Sequence, residues 1–313
     1  MTKKKNPPIC SPIRIGAVPR MAKPVSDRAA SLALFTAAAF WGLYWWPVRE
    51  IGAAGFSPSF SVAFFNSAPL VILLPLVIWH RKTQFAHFRQ TLLIGCLMGV
   101  GLGFYATGLA VSSVIRVTML FYLTPVWSTI IGVFWLREPL TRPRIAAIVL
   151  GFAGLWLMLS SGDGFSQPLN FGDFFALASG VFWGFGAASI KRWPETPTTM
   201  TTLIQFIFVI LFCTFVGRVF FDDPLPAMTA LRNALPTAVL TSVLILLPTS
   251  FVMFVAAKQL FPGRVGILMM SEVLVAIISA SILLPDETLS VWQWFGCATI
   301  LSACLIEVSG RSA

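Results

Sequence analysis

Ten apolar stretches follow one another along the chain, at roughly 30–48, 59–79, 91–110, 114–136, 144–161, 171–190, 200–221, 234–257, 263–284 and 291–309. Only a few charged, proline or glycine residues part each from the next. Each is about the 20 residues that a helix needs to cross the hydrocarbon core of a bilayer. This succession restricts the fold more than any motif does. Composition agrees: 57% of residues are hydrophobic and 11% are charged, against about 25% charged in a soluble domain. Too few charges are present to cover a globule with polar surface. The expectation is an all-α integral membrane protein of ten transmembrane helices.

The formal net charge of +10 invites a nucleic-acid reading, but its distribution gives a simpler cause. With the N-terminus placed inside, the short loops alternate between the two membrane faces. All Lys and Arg then fall on the inner side except Arg49, Arg116, Arg218 and Arg232. Basic residues collect in cytoplasmic loops. The expected setting is therefore the cytoplasmic (inner) membrane, multi-pass, with both termini cytoplasmic and no nucleic-acid partner. Residues 1–28 are basic and carry prolines at 7, 8, 12, 19 and 24, which break up the apolar core that a secretory signal needs. A disordered cytoplasmic segment is expected there, with Met21 as a second candidate start.

The second half repeats the first. "FWGLYWWPVR" (40–49) matches "FWGFGAASIK" (182–191) in Phe, Trp, Gly and the terminal basic residue. "IRVTMLFYLTPVWSTIIGVFWLREPLT" (115–141) matches the segment from Gly263 to Ser290. Arg116-Val117 lies on Arg264-Val265, and Glu138-x-Leu-Thr lies on Glu287-x-Leu-Ser with one insertion. The halves are about 30–161 and 170–309, five spans each. Because five is odd, the chain enters its second half from the opposite face, so the copies are related by an inverted-topology repeat. Transporters use this arrangement to open to either side of one midplane site.

These segments, with "GDFFALASGVFWGF" and the run from Ser271 to Val308, resemble the EamA domain of the drug/metabolite transporter superfamily over nearly everything after residue 30. The resemblance implies secondary transport, often export, of small metabolites, amino acids or drugs. It implies a central cavity lined mainly by spans 1, 3, 4, 6, 8 and 9, and no nucleotide or prosthetic-group cofactor. The chain departs from the family pattern in one place. Glu272 is followed by Val273-Leu274 rather than Pro-Val, whereas the first copy keeps Thr124-Pro125-Val126. This puts a kink near residue 273 in question.

Several residues are candidates for the cavity. Glu272 lies near the middle of span 9, where an ionisable group is costly and must face the bundle interior, water or a partner. It is a candidate for binding a substrate amine or carrying a coupling proton, and a carboxyl satisfied by a neighbouring helix is the alternative. Arg116 opens span 4. It is either a fork for a substrate carboxylate or an interfacial anchor, and its echo Arg264 favours the anchor. Trp41, Tyr44 and Trp45 share one helical face that can hold apolar solutes or cations. Trp183 matches Trp41 in the repeat and is expected across the cavity. Tyr105, Tyr122 and Thr124 are polar handles, explained as well by helix-to-helix hydrogen bonds as by substrate.

Other functional classes find little footing. There is no C-x-x-C and no H-E-x-x-H, and both histidines share one loop, so a metal site is not expected. "GVGLGFYATG" (99–108) lies inside an apolar helix with no strand before it, which removes a dinucleotide loop. Gly99, Gly103, Gly151 and Gly154 are expected to let helices pack closely, and Pro47, Pro125 and Pro248 to kink them. An intramembrane enzyme would need a nucleophile–base pair or metal ligands in the spans. A non-transporting receptor would not need two pseudo-symmetric halves. The expected partners are a small-molecule solute and the bilayer, with the chain a monomer or homodimer. Aromatic lining beside one deep acid points to an amine or an amphipathic amino-acid-like solute.

Overall fold

The computed structural model describes residues 26–111, 117, 120–160, 170–283 and 290–309. The basic N-terminal segment up to residue 25, Arg116 and Glu287 lie outside the described residues. Within them the chain is helical, with no strand.

The first repeat begins with α1 (Asp27–Trp41), α2 (Trp45–Ala53), α3 (Pro58–Ser67), α4 (Leu70–Trp79), the short α5 (Arg81–Gln84) and α6 (Phe88–Val111). It closes with α7 (Thr124–Leu136) and α8 (Arg142–Leu159). The second repeat holds α9 (Phe171–Arg192), α10 (Thr198–Phe220), α11 (Met228–Thr241), a π-helical turn at Ser242–Leu246, and α12 (Leu247–Gln259). It ends with α13 (Pro262–Met269), α14 (Ser271–Leu283) and α15 (Val291–Ser309).

The boundaries have local causes. Ser26 and Ser57 cap α1 and α3 by accepting from Ala29 N (3.2 Å) and Phe60 N (3.4 Å). Asn170 and Asp173 form a reciprocal capping box at the start of α9. Pro58, Pro125, Pro143 and Pro262 sit in first turns, where a missing N–H costs nothing. Two prolines interrupt spans as expected. Pro47 cannot bond Leu43, and the helix gives way to a turn at 42–44. The π-turn before Pro248 absorbs the same defect near Leu244.

Six helices or helix pairs are long and apolar enough to cross a bilayer: Asp27–Ala53, Pro58–Trp79, Phe88–Gly108, Phe171–Arg192, Thr198–Phe220 and Met228–Gln259. Thr124–Leu136 and Trp294–Ile306 are apolar but shorter. The ten expected spans thus reduce to six of full length among the described residues. Part of the reason is that a break at Met270 divides the ninth. Burial fits lipid as solvent. Trp79 and Phe134 are 85% and 83% exposed, and many other large apolar side chains point outward with them. Ser31, Asn66, Ser128, Ser179, Thr202 and Ser250 are buried.

The packing carries the internal symmetry. α1 lies against α12 and α14, and its counterpart α9 lies against α6 and α7. The glycine of each "FWG" makes the equivalent close approach. A methyl group at Gly42 would come within 2.9 Å of the Ala276 nitrogen on α14, and one at Gly184 within 3.3 Å of the Ser128 nitrogen on α7. Laying 115–141 on 263–290 places Ser128 on Ala276, so the two contacts are the same contact made twice. Gly99 likewise meets the Gln205 carbonyl, and Gly154 the Gly296 carbonyl, as small residues do between membrane helices.

Candidate solute chamber

Two hydrophobic clusters make up the interior. One gathers Phe121, Tyr122, Trp183, Met253 and Met269. The other gathers Trp41, Leu102, Ala106 and Phe206. Tyr105 packs against both, and at this junction lies a chamber lined by Trp41, Leu102, Tyr105, Phe121, Ser179, Trp183, Gln205, Met253, Met269 and Glu272. It has room for about one water molecule. Both repeats supply its walls.

Glu272 reaches the chamber because span 9 is broken next to it. α13 ends at Met269, and the backbone passes through i→i−3 bonds at Met270 N (to Ile267 O, 3.1 Å) and Val273 N (to Met270 O, 3.2 Å). Ser271 steadies the break by bonding Leu268 O at 3.0 Å and Phe35 O on α1 at 2.9 Å. The kink therefore forms without the proline that the family pattern supplies. The Glu272 side chain is 7% exposed, and the equally buried Tyr122 hydroxyl adjoins it. Tyr122 Oη has no hydrogen bond of ordinary geometry in this conformation. No Lys or Arg forms an ion pair with Glu272 among the described residues. The Tyr105 ring lies tilted against Phe121, with ring centroids 4.6 Å apart.

The other sequence candidates are placed as follows. Trp41, Tyr105 and Trp183 share the lining with Glu272. Tyr44 stands one layer out: its ring stacks on Trp41 at 6.1 Å and its hydroxyl accepts from Asn66 Nδ2 at 2.9 Å. Trp45 leaves the aromatic face expected of it, because the turn at 42–44 interrupts the helical register. Its Nε1 donates to Ser279 Oγ at 3.1 Å and ties α2 to α14. Thr124 is buried at the start of α7, donates to Phe121 O and is not part of the lining. Arg116 lies outside the described residues.

The sequence reading missed Gln205 and Asn66. Gln205 is 2% exposed, and its Oε1 has no hydrogen-bond partner. It comes from span 7, which the expected lining left out. Its signal was present: a lone amide in "TTLIQFIFVI". Arg264, read as an interfacial anchor, is 3% exposed instead.

The Glu138 motif does different work, away from the chamber. Arg137 takes the left-handed conformation (φ 57°) that ends α7, and Glu138 N returns to Gly132 O at 3.0 Å. The turned-in Glu138 carboxylate pairs with Arg144 and accepts from Gly263 N at 3.4 Å. It thereby joins α7, α8 and α13. Nearby, Lys191 bonds Gln259 O and lies 4.8 Å over the Phe261 ring, and Lys258 bonds Thr196 O at 2.5 Å. At this end of the bundle a polar clasp is formed, in which the Glu138–Gly263 bond crosses between the repeats.

Comparison with known proteins fits a chamber shared by two repeats. The EamA-like transporter family matches residues 28–160 and again 170–308. The chain belongs to this family. It is therefore a multi-pass membrane protein of a transporter family. A protein of Rickettsia conorii named S-adenosylmethionine uptake transporter is 33% identical over 104 residues, 32% of this chain and 35% of the relative. The chain thus spans about a third of the length of that relative. The Bacillus subtilis protein named uncharacterized transporter YoaV is 24% identical over 158 residues, 49% of this chain and 54% of its own. A solved crystal structure superposes with a TM-score of 0.72 at 17% identity, covering 90% of this chain and 96% of that one. At that identity the likeness speaks for the fold alone.

Proposed function

We propose that the chain is a secondary transporter that moves a small metabolite, amino-acid-like compound or drug through the cytoplasmic membrane by alternating access around the Glu272 chamber. The observation that carries this reading is a buried carboxyl with no basic ion-pair partner among the described residues, in a chamber whose walls come from both repeats. A carboxyl at such depth costs stability unless it serves a solute or a proton. The chain crosses ten times as two inverted five-helix repeats, with both termini cytoplasmic, as a monomer or homodimer. The four crossings beyond the six full-length ones are 114–136, 144–161, 263–284 and 291–309.

Glu272 is also the proton-coupling candidate. Flux measured in vesicles with and without a proton gradient tests it. Wild-type flux is expected to follow the gradient, and Glu272→Gln flux to lose that response. An unchanged pH profile in the variant removes the proton-carrier role. Export is the direction that the family resemblance implied, whereas the rickettsial relatives are named for uptake. Flux in right-side-out and inverted vesicles decides between them.

A further inference from the structure

We propose that the chamber is selective for small organic cations carrying an apolar or aromatic part, over zwitterions and anions of the same shape. The inference rests on the transporter reading and names its solute class. Among the described lining residues there is one formal charge, the carboxylate of Glu272. The ring systems of Trp41, Tyr105, Phe121 and Trp183 form much of the rest. Ring faces attract a cation, most strongly where water is excluded. The unpartnered Gln205 Oε1 adds a buried acceptor that still lacks a donor, and an ammonium N–H supplies one.

The same lining offers a carboxylate neutral donors such as the Gln205 amide but no charge partner among the described residues. The Ser179 hydroxyl proton is already given to Gly101 O at 2.7 Å, and no basic side chain is present among the described lining residues. A solute carboxylate would sit unpaired beside Glu272, a like-charge contact that disfavours both ionised groups. The sulfurs of Met253 and Met269 let the walls adapt to varied apolar parts. The chamber as it stands holds about one water molecule. The cation therefore enters an opened state, and the aromatic faces then close over it.

Four probes that share one indole ring and differ in charge test the assignment: tryptamine (cation), tryptophol (neutral), tryptophan (zwitterion) and indole-3-acetate (anion). Binding to the full-length purified protein is read at neutral pH by calorimetry and by melting shift. Tryptamine is expected to bind at least about tenfold more tightly than the other three. Glu272→Gln is expected to erase that preference and Glu272→Asp to keep part of it. Gln205→Leu is expected to weaken tryptamine severalfold without creating a preference for the anion. The proposal is overturned if tryptophan or indole-3-acetate binds as tightly, if a folded Glu272→Gln protein keeps the preference, or if no probe binds saturably. Should Glu272→Gln not fold, the Gln205→Leu and wild-type series decide alone. Binding does not require transport, so the two readings fail separately. A lost charge preference beside intact flux of another solute removes the cation assignment only. Cation binding without flux of any solute removes the transporter reading.

Discussion

Thr124 and Glu272 occupy the same position in the two repeats and have opposite fates. The glycine contact beside them is duplicated, bringing α9 onto Ser128 and α1 onto Ala276. The chemistry is not duplicated. Thr124 spends its hydroxyl on the Phe121 carbonyl one turn away and stays out of the lining. Glu272 carries its carboxyl into the chamber. The two tryptophans of the repeat, Trp41 and Trp183, both line the chamber, and its carboxyl lies where the copies diverge. A second comparison sharpens the first. Glu138 is as buried as Glu272, yet it is locked to Arg144 and the Gly263 amide. One acid holds helices together, and the other lines the chamber.

This contrast can be broken by substitution. The largest effect is expected from Glu138→Ala, which takes the carboxylate from the buried Arg144 guanidinium and leaves it the Pro139 carbonyl among its neutral partners. A loss of about 3–5 kcal/mol is typical of a broken buried pair, and thermal melting in detergent should show it. A melt equal to wild type would mean that the clasp is dispensable. Gly42→Ala comes next, because the added methyl meets the α14 backbone. Overpacking of this kind costs about 1–3 kcal/mol, with Gly184→Ala expected to cost less because its neighbours stand farther off. Equal melts for the two glycine variants would contradict the closer approach at Gly42. Thr124→Val should cost no more than about 1 kcal/mol, the net worth of one hydrogen bond, and leave flux intact. A collapse of flux there would place Thr124 back among the solute contacts. Trp46→Ala is the smallest, within about 0.5 kcal/mol as for exposed surface sites, because Trp46 is exposed. Trp41→Ala should weaken flux clearly more than Trp46→Ala, and equal losses would argue against Trp41 as a chamber wall.

Much of this was legible in the chain because lipid imposes simple rules. Apolar runs marked the helices, and the doubled "FWG" marked the repeat and its two tryptophans, whereas the close contacts of its glycines emerged only from the packing. The depth of one acid marked Glu272. What stayed hidden depended on contacts between distant segments. Gln205 and Asn66 read as ordinary polar residues in apolar helices until α10 and α3 were packed. Arg144 was counted as a loop charge, yet it pairs inward with Glu138, because a carboxylate six residues away can turn back only after Arg137 adopts φ 57°. The break at Met270 had no proline to announce it. Trp45 lost its place on the aromatic face for a related reason, since periodicity assumes a helix that the turn at 42–44 interrupts.

Alternating access requires that the chamber open to both sides of the membrane. In a background with the five native cysteines replaced by alanine, Met253→Cys places one thiol in the lining. A membrane-impermeant thiol reagent is then applied to oriented vesicles from either face. Two inverted repeats enclosing one alternately exposed chamber predict labelling from both faces, slowed by a bound solute. Labelling from a single face, indifferent to solute, would contradict alternating access at this site.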